Sequence, residues 1–202
     1  MPHSKRIPLV AALNVLRDAR ADDEVVVTAM GTAREWAKLA SHPLDFLYVP
    51  SSMGQSTALG LGIALARPDR QIIAANGDGS MLMNLGSLVS IAAQAPENLT
   101  VLVFDNGIYE VTGGQPTPGA AAGRRDAQDV DLTTIALASG FRSVYEFDDL
   151  QQWQADARSV IDSTGPTFAL LKIQPAPEAG GPRSPGPGPA RAIAFREALA
   201  AR

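Results

Sequence analysis

Gly77-Asp78-Gly79-Ser80 and, further along the chain, Asp105-Asn106 are the two segments that decide the fold, and 25 residues separate Gly79 from Asp105. An apolar run typical of a buried strand precedes each segment, and the residues after the first segment repeat with a helical period. A strand, a helix and a second strand in this order predict a parallel sheet. Both polar segments would then lie at the carboxyl edge of that sheet, where open α/β sheets bind their ligands.

The side chains at this predicted edge favour a metal together with a diphosphate. Asp78 and Asn106 supply oxygen donors, the ligand type that Mg²⁺ takes in proteins. Gly79 and Ser80 open the intervening helix, whose free N–H groups suit a diphosphate. Asp78-Gly79 and Asn106-Gly107 are also dipeptides typical of hairpin turns, an interpretation that the helical period excludes at Asp78 and leaves open at Asn106. We therefore predict a diphosphate cofactor bound through a metal ion.

Composition excludes several classes of function. The 202 residues include 46 % hydrophobic and 19 % charged residues, as expected of one folded domain. A formal charge of −4 gives no sign of a basic face for nucleic acid. The sequence holds neither an apolar run of membrane-spanning length nor, at its start, the apolar core of a signal peptide, so a cytoplasmic protein is expected. The absence of cysteine excludes disulfides and protein-ligated iron–sulfur clusters.

The rest of the sequence alternates strands with helices, which predicts an α/β fold with a parallel sheet and helices on both faces. Strands are predicted at 25–27, 46–49, 72–75, 99–104 and 168–173. Helices are predicted at 7–19, 33–40, 54–66 and 191–202. A further helix is indicated by an apolar stripe of Leu82, Leu85, Val89 and Ala92. Two more are predicted from their caps, one from Asp131 to Gly140 and one that begins after Asp148. Residues 113–128 have no period and are predicted to form a mobile loop.

Three regions follow from the composition along the chain. A cofactor-binding domain is predicted over 1–174, a Pro/Gly linker over 175–190, and a C-terminal helix over 191–202 that could wrap a neighbouring subunit. Gly54, Gly60 and Gly62 fall in the predicted third helix, where each glycine costs about 1 kcal/mol of helix stability. We therefore expect these glycines to pack closely against a backbone or a ligand.

The two deciding segments resemble the metal-binding motif of the enzymes that use thiamine diphosphate (ThDP). The likeness extends over most of residues 5–175, and Thr112-Gly113-Gly114-Gln115-Pro116-Thr117 resembles the subfamily of sulfopyruvate and phosphonopyruvate decarboxylases. By this resemblance Asp78, Asn106 and the backbone carbonyl of Ile108 hold Mg²⁺ against the cofactor diphosphate. ThDP and Mg²⁺ are therefore the expected cofactors.

The resemblance also implies two residues that activate the cofactor. Met53 wedges ThDP into its bent form, and the backbone carbonyl of Ser51, at a position where glycine is usual, accepts a hydrogen bond from the aminopyrimidine. Gly31 and Thr32 follow the first predicted strand, a position where α/β sheets place ligand loops. The other expected cofactor-binding residues are Ser52, Gly77, Gly79, Ser80 and Tyr109.

A partner is implied as well. In this family a glutamate on a pyrimidine-binding domain activates the cofactor, and no such domain is recognisable in these 202 residues. We therefore expect a separate pyrimidine-binding α subunit to supply that glutamate, without nucleic acid or membrane as a partner. The expected function is that of the β subunit of a decarboxylase for an anionic 3-substituted pyruvate, sulfopyruvate or phosphonopyruvate.

Three alternatives stay open at this point. The chain could belong to a ThDP-dependent carboligase or C–C lyase, or it could be a non-catalytic, ThDP-binding regulatory subunit. A Rossmann-type dehydrogenase is a further alternative, although Leu82 occupies the position of the third glycine in the dinucleotide fingerprint. The roles of Arg34, His42 and Glu110 also stay open.

Overall fold

The computed structural model describes residues 6–39, 41–50, 52–176 and 183–201. Eight strands occur within these ranges: β1 Val25–Ala29, β2 Asp45–Tyr48, β3 Ile72–Gly77, β4 Leu99–Asp105, β5 Ile108–Tyr109, β6 Gln115–Pro116, β7 Ser143–Phe147 and β8 Thr167–Lys172. Eight α-helices accompany them: α1 Leu9–Ala19, α2 Met30–Leu39, α3 Gln55–Ala66, α4 Asp78–Met83, α5 Gly86–Gln94, α6 Leu132–Ser139, α7 Leu150–Asp162 and α8 Gly188–Ala200.

Six of the strands form one parallel sheet in the order β2-β1-β3-β4-β8-β7. The predicted parallel sheet is confirmed, and all five predicted strands are present with bounds within two residues. β2 and β3 lie on opposite sides of β1, so the direction of winding reverses there. Crevices at such reversals, outside the carboxyl ends of the strands, are the usual ligand sites of open α/β sheets.

Helices cover both faces of the sheet, as predicted. On one face α1, α2 and α7 bury Leu13, Trp36 and Trp153 against the strands. On the other face α3, α5 and α6 pack through Ile63 and Leu88 among others. The central strands are buried on both sides and therefore consist mainly of Val, Ile, Leu and Ala.

The segment after β3 differs from the prediction of one continuous helix. The structure divides it into α4 and α5, because Asn84 has non-helical backbone angles of φ −142° and ψ 46°. The break changes the helical phase, so the predicted stripe is wrong at Val89, which is 59 % exposed, whereas Leu88 and Ile91 are fully buried. The other three residues of the stripe, Leu82, Leu85 and Ala92, are partly buried and pack against the core as predicted. α4 has only six residues, so its dipole adds little to anion binding at its start.

Two further differences concern the second half of the chain. The edge strand β7 was not predicted, because its residues are mostly half-buried and carry no continuous apolar run. Asp149, and not the predicted Asp148, caps α7 by accepting from the N–H groups of Gln151 and Gln152. The cap at Asp131 is confirmed by its hydrogen bond from the N–H of Thr134 at 2.9 Å.

Residues 113–128 form more structure than the loop that was predicted. β5 and β6 pair as an antiparallel hairpin, and Ala121–Gly123 forms one turn of 3₁₀ helix. The hairpin turns back over the carboxyl edge of the sheet and leaves Thr117 only 1 % exposed. The predicted mobility of this loop stays a prediction.

The C-terminal helix begins at Gly188, three residues before the predicted start, and Ala201 lies outside it. The ring of Phe195 lies 4.9 Å from the ring of Phe46 in β2, so α8 packs on its own domain. Part of the predicted linker, 177–182, and also Ala40 lie outside the described residues. None of the helices in the described part of the chain is both long and apolar enough to cross a membrane.

Gly60 and Gly62 in α3 provide a matched test of close packing. A Cβ on Gly60 would lie 2.8 Å from the Cβ of Ala74, whereas a Cβ on Gly62 would meet nothing within 4 Å. The expected close approach is thus present at Gly60 and wrong at Gly62. We expect Gly60→Ala to destabilise the fold by about 1–3 kcal/mol through overpacking.

Gly62→Ala should instead stabilise the fold by about 0.5–1 kcal/mol, because it removes helical glycine without a clash. Urea denaturation of the two variants and the parent protein measures both changes. Equal effects of the two substitutions would contradict the packing argument.

Candidate functional site

A pocket opens at the carboxyl edge of the sheet, where β1, β3 and β4 end beside the reversal of the winding. Ten of the predicted site residues line it: Gly31, Thr32, Met53, Gly77, Asp78, Gly79, Ser80, Asn106, Ile108 and Tyr109. Ser52 is exposed and does not line the pocket. Ser51 lies outside the described residues. The fold therefore brings together side chains from three separate strand ends.

Asp78 is a buried carboxylate in this pocket, with 4 % of its surface exposed. Its Oδ2 accepts a hydrogen bond from the hydroxyl of Thr117 at 3.1 Å. Burial, with a smaller contribution from the charge of Asp105, raises the pKa of Asp78 to about 7, against the opposing effect of hydrogen bonds from Thr117 and from the backbone N–H groups of Gly79 and Asn106. No lysine or arginine in the described part of the chain forms an ion pair with this carboxylate.

The turn after β4 places Asn106 next to Asp78. The N–H of Asn106 donates to the Asp78 carboxylate, and the side-chain oxygen of Asn106 accepts from the N–H of Ile108 at 2.9 Å. Gly107 has φ +75°, a left-handed conformation that favours glycine. The hairpin interpretation of Asn106-Gly107 is wrong, since the dipeptide connects β4 to β5 and the hairpin loop follows Tyr109.

The carbonyl of Ile108 is suited to a ligand outside the sheet. Ile108 lies opposite Pro116 in the small hairpin, and the N–H of Thr117 donates to the carbonyl of the preceding residue, Gly107, at 2.9 Å. Since hydrogen-bonded and non-hydrogen-bonded pairs alternate along an antiparallel ladder, the carbonyl of Ile108 faces away from β6. Together with Asp78 and Asn106, it makes a set of one carboxylate, one amide and one backbone oxygen. Such all-oxygen sets suit a hard cation such as Mg²⁺.

Asp105 is fixed from several directions at the end of β4. Its Oδ2 accepts from the Nζ of Lys172 at 2.6 Å, and its Oδ1 accepts from the N–H of Gly107 at 3.1 Å. Its backbone carbonyl accepts from the N–H of Ile173 at 2.9 Å and from the guanidinium of Arg6 at 3.3 Å. Lys172 thus balances the charge of Asp105, and the turn that carries Asn106 has a rigid base.

Met53 lies in the turn before α3 and reaches the pocket beside the Asp78 loop. The next residue, Gly54, has φ +84°, and a Cβ there would lie 2.8 Å from the carbonyl oxygen of Ser80. Its own carbonyl accepts from the side-chain amide of Asn84 at 2.9 Å. The close backbone approach explains why glycine occupies this position.

The structure gives Glu110 and Arg34 a shared environment. Glu110 is 8 % exposed, lines the pocket, and accepts from the N–H of Ala176 at 3.2 Å. Its Oε2 lies 3.6 Å from the guanidinium of Arg34, which also bonds Glu35 at 2.5 Å. A Cβ on Gly31 would lie 2.8 Å from that same Oε2, so Gly31 makes room for the Glu110 carboxylate.

His42 and Gln115 lie outside this pocket. The Nδ1 of His42 accepts from the N–H of Leu44 at 3.2 Å and contacts the guanidinium of Arg20 at 2.9 Å, in a turn before β2. Gln115 is exposed and bonds Thr112. His42 is therefore a turn residue with local partners.

Sequence reasoning missed Thr117 and Asn84 as parts of the site. Thr117 is 39 residues from Asp78 in the chain, and Asn84 is 30 residues from Gly54. The Gln115-Pro116-Thr117 run was only a weak signal for Thr117. A hairpin returns Thr117 to the pocket, and its strands of two residues each are too short to give a sequence pattern. Asn84 carried no signal, because it fell inside a predicted helix.

The residues present fit a divalent cation and the diphosphate end of a cofactor. Asp78 is buried beside a second carboxylate, and the ion pairs nearest the site, Arg34 with Glu110 and Lys172 with Asp105, do not include it. No group of three acidic or histidine side chains is arranged for a metal among the described residues. Any cation here would therefore use amide and backbone oxygens beside one carboxylate.

The pocket is shallow for a complete cofactor. It encloses about 60 Å³, whereas pockets that bury small ligands measure roughly 300–1,000 Å³. A pocket of this volume is too small to enclose a complete cofactor of the size of ThDP. This geometry suits a site completed by a second protein surface.

Comparison with known protein families identifies the chain. The family of the thiamine pyrophosphate enzyme, C-terminal TPP binding domain, matches residues 29–169. This chain belongs to the thiamine pyrophosphate enzymes. The family predicted from the segments at Gly77–Ser80 and Asp105-Asn106 is therefore confirmed, and thiamine pyrophosphate is another name for ThDP.

Individual relatives carry decarboxylase names. The chain is 38 % identical to the phosphonopyruvate decarboxylase of Streptomyces viridochromogenes over 82 % of its own length and 40 % of that protein. It is also 38 % identical to the sulfopyruvate decarboxylase subunit beta of Methanothermobacter thermautotrophicus, over 76 % of each chain. The chain thus spans about 40 % of the phosphonopyruvate enzyme.

A solved structure from Mycobacterium smegmatis, described as that of a candidate thiamin diphosphate-dependent enzyme, shares the fold. It superposes with a TM-score of 0.69 at 21 % identity, covering 84 % of this chain and 32 % of that one. At this identity the likeness concerns the fold alone. The α/β architecture predicted from the sequence is confirmed by both the sheet and this neighbour.

Proposed function

We propose that this chain is the β subunit of a two-subunit, ThDP-dependent decarboxylase that acts on an anionic 3-substituted pyruvate. Its pocket would bind Mg²⁺ through Asp78, Asn106 and the carbonyl of Ile108. The segment from Gly77 to Ser80, at the start of α4, would receive the cofactor diphosphate. Met53 and the carbonyl of Ser51 would hold the ring end of the cofactor.

The observation that carries the decarboxylase proposal is the 38 % identity to a sulfopyruvate decarboxylase β subunit over 76 % of both chains. Phosphonopyruvate decarboxylase is equally similar but extends well beyond the matched region, which amounts to 40 % of it. A β subunit is therefore the relative whose length and sequence both correspond to this chain. The relatives' two substrates are 2-oxoacids with a second anionic group at C3.

The proposed reaction breaks the bond between C1 and C2 of the 2-oxoacid. CO₂ leaves, a proton takes its place on C2, and the product is an aldehyde. ThDP supplies the nucleophilic carbon and the electron sink for this chemistry when bound. The residues of this chain would bind and orient the cofactor, while Phe104 and Ile173 give the pocket an apolar wall.

A pyrimidine-binding α subunit would complete the site. The small pocket cannot enclose the ring end of the cofactor that Met53 and Ser51 would contact, and in our proposal a second surface covers that end and supplies the activating glutamate. We propose a cytoplasmic complex in which the two subunits enclose ThDP between them.

The direct test is purification of the tagged chain from its own cells with Mg²⁺ and ThDP, followed by an assay of the complex. We expect a stoichiometric second chain of similar size. The complex should release CO₂ and aldehyde in equal amounts from sulfopyruvate or phosphonopyruvate. Both products are measured in one reaction, by coupled CO₂ detection and by derivatisation of the aldehyde.

Other outcomes would contradict the proposal in distinct ways. An acyloin product would indicate a carboligase. Full activity of a complex that contains the Asp78→Ala chain would indicate a regulatory subunit. A chain that has no partner and decarboxylates neither substrate would exclude the β-subunit assignment.

A further inference from the structure

Two parts of the pocket that are distant in the chain are joined by one side chain. The turn that carries Met53 precedes α3, and the loop that carries Asp78 opens α4. Asn84 follows α4 directly, and its side-chain Nδ2 donates to the carbonyl of Gly54 at 2.9 Å. The turn next to Met53 is therefore fastened to the end of the helix that begins at Asp78.

Hydroxyl groups surround this contact. The Oγ1 of Thr57 donates to the same Gly54 carbonyl at 3.2 Å and lies 3.0 Å from the Oγ of Ser87. Ser87 in turn donates to the carbonyl of Asn84 at 2.7 Å. Two hydroxyl protons are shared among these three contacts, so only two of them are hydrogen bonds at one time. The hydrogen bond from the Asn84 amide to the Gly54 carbonyl does not depend on how the two hydroxyl groups orient their protons.

The backbone at this junction has no spare room. A Cβ on Gly54 would lie 2.7 Å from the Cβ of Asn84 and 2.8 Å from the carbonyl oxygen of Ser80. Gly54, Thr57 and Ser87 are buried. The non-helical backbone of Asn84 (φ −142°, ψ 46°) turns the chain between α4 and α5 at the same point. The break in the helix and the fastening of the turn thus involve one residue.

We infer that Asn84 is a positioning residue that sets the Met53 turn against the loop of Asp78. This inference rests on the proposed function, in which Met53 contacts the ring end of ThDP and the Asp78 loop holds its diphosphate end. Without the amide, the Met53 turn must be ordered when the cofactor binds, and that ordering reduces affinity. In the proposed function the Asp78 loop, and not the Met53 turn, holds the diphosphate end, so binding of that end should change little.

The Asn84→Ala variant tests whether binding of the ring end of the cofactor can be weakened without weakening binding of the diphosphate end. Titration calorimetry on the complex with its co-purified partner measures binding of Mg²⁺–ThDP and, separately, of Mg²⁺–pyrophosphate, which has no ring. We expect about a tenfold loss of ThDP affinity, the size of one hydrogen bond, and a change of less than about twofold for pyrophosphate. The turnover number should fall as well, because the ring is held less firmly.

Asn98→Ala is the matched control. The Nδ2 of Asn98 also donates to backbone carbonyls, those of Ala64, Arg67 and Arg70 at 2.8–3.2 Å, but it precedes β4 at the opposite edge of the sheet. We expect this variant to have a lower melting temperature with an unchanged ratio of ThDP to pyrophosphate affinity. Thr57→Val, which removes the second donor to Gly54, should change that ratio less than Asn84→Ala does.

The outcomes separate the inference from the proposed function. If the parent complex binds neither ligand, the proposed function fails. If it binds both, and Asn84→Ala weakens them equally or not at all, the positioning role of Asn84 is wrong while the cofactor site stands. A melting temperature lowered as in Asn98→Ala, without a change in the affinity ratio, would also overturn the inference.

Discussion

Asp78→Ala is expected to lower the Mg²⁺-dependent affinity for ThDP by roughly 100-fold or more, since losses of 10–100-fold already follow removal of groups that only support a metal ligand. Asp78 is the one carboxylate of the proposed oxygen set, and the backbone of Asn106 is fixed against it. Its removal takes away both the charge and the hydrogen bond from Thr117. Titration calorimetry at several Mg²⁺ concentrations measures the loss.

Asp78→Asn serves as the control for folding. It keeps the shape of the side chain but removes a charge that burial and Asp105 both disfavour. The melting temperature of this variant with EDTA should therefore equal or exceed that of the parent. Unchanged ThDP affinity in Asp78→Ala would show that the proposed Mg²⁺ site is wrong, and Asp126→Ala, which changes an exposed carboxylate paired with Arg124, should leave affinity unaffected.

The sheet and the candidate metal-binding residues were predictable because the sequence patterns that indicate them lie within short, continuous segments. β3 and β4 are continuous apolar runs, as expected for strands buried on both faces. The polar residues that follow each run must then meet at one edge, because parallel strands end together. Asp78 and Asn106 are accordingly found in contact through the backbone N–H of Asn106.

The parts that could not be predicted depend on contacts between distant residues. The helix after β3 breaks at Asn84, which has a partner 30 residues earlier, and no periodicity within the helix indicates that partner. Thr117 reaches Asp78 only through a hairpin with two-residue strands. β7 is an edge strand whose half-buried residues give a weaker pattern than the central strands.

The roles of Gly31 and Glu110 show a second limit. Gly31 follows β1, where a ligand loop is expected, and a glycine there indicates a close approach. The approaching group is the carboxylate of Glu110, 2.8 Å from where a Cβ would stand. A glycine in the sequence shows that space is needed but does not identify what fills it.

Lys172→Met is expected to destabilise the fold by about 3 kcal/mol, the lower end of the range for breaking a buried ion pair. The side chains of Lys172 and Asp105 are 17 % and 14 % exposed, and their charged atoms lie 2.6 Å apart. Removing the ammonium leaves the Asp105 carboxylate uncompensated next to Asp78, whose pKa it already raises. Urea denaturation measures the change.

The pH dependence of the stability difference between Lys172→Met and the parent protein follows from the direction in which the pKa of Lys172 is shifted. Burial alone lowers the pKa of Lys172, but the charge and the hydrogen bond of Asp105, together with the charges of Glu146 and Asp129, outweigh burial, so the pKa is raised above 10.5. The contribution of the pair is then fully present below pH 10.5 and is lost as the pH rises through the higher pKa of the folded state. From neutral pH upward, the stability gap between Lys172→Met and the parent should therefore narrow only in strongly alkaline solution.

The double variant Asp105→Asn/Lys172→Met distinguishes charge from packing. With both charges removed, neither member of the pair is left as an ion without its partner, and the asparagine oxygen can still accept from the N–H of Gly107. We expect most of the lost stability to return. Arg124→Met breaks an exposed pair with Asp126 and should hardly change the denaturation midpoint. If the double variant is no more stable than Lys172→Met, the loss comes from the packing of the lysine stem, and the charge balance at the end of β4 is not what holds the turn of Asn106.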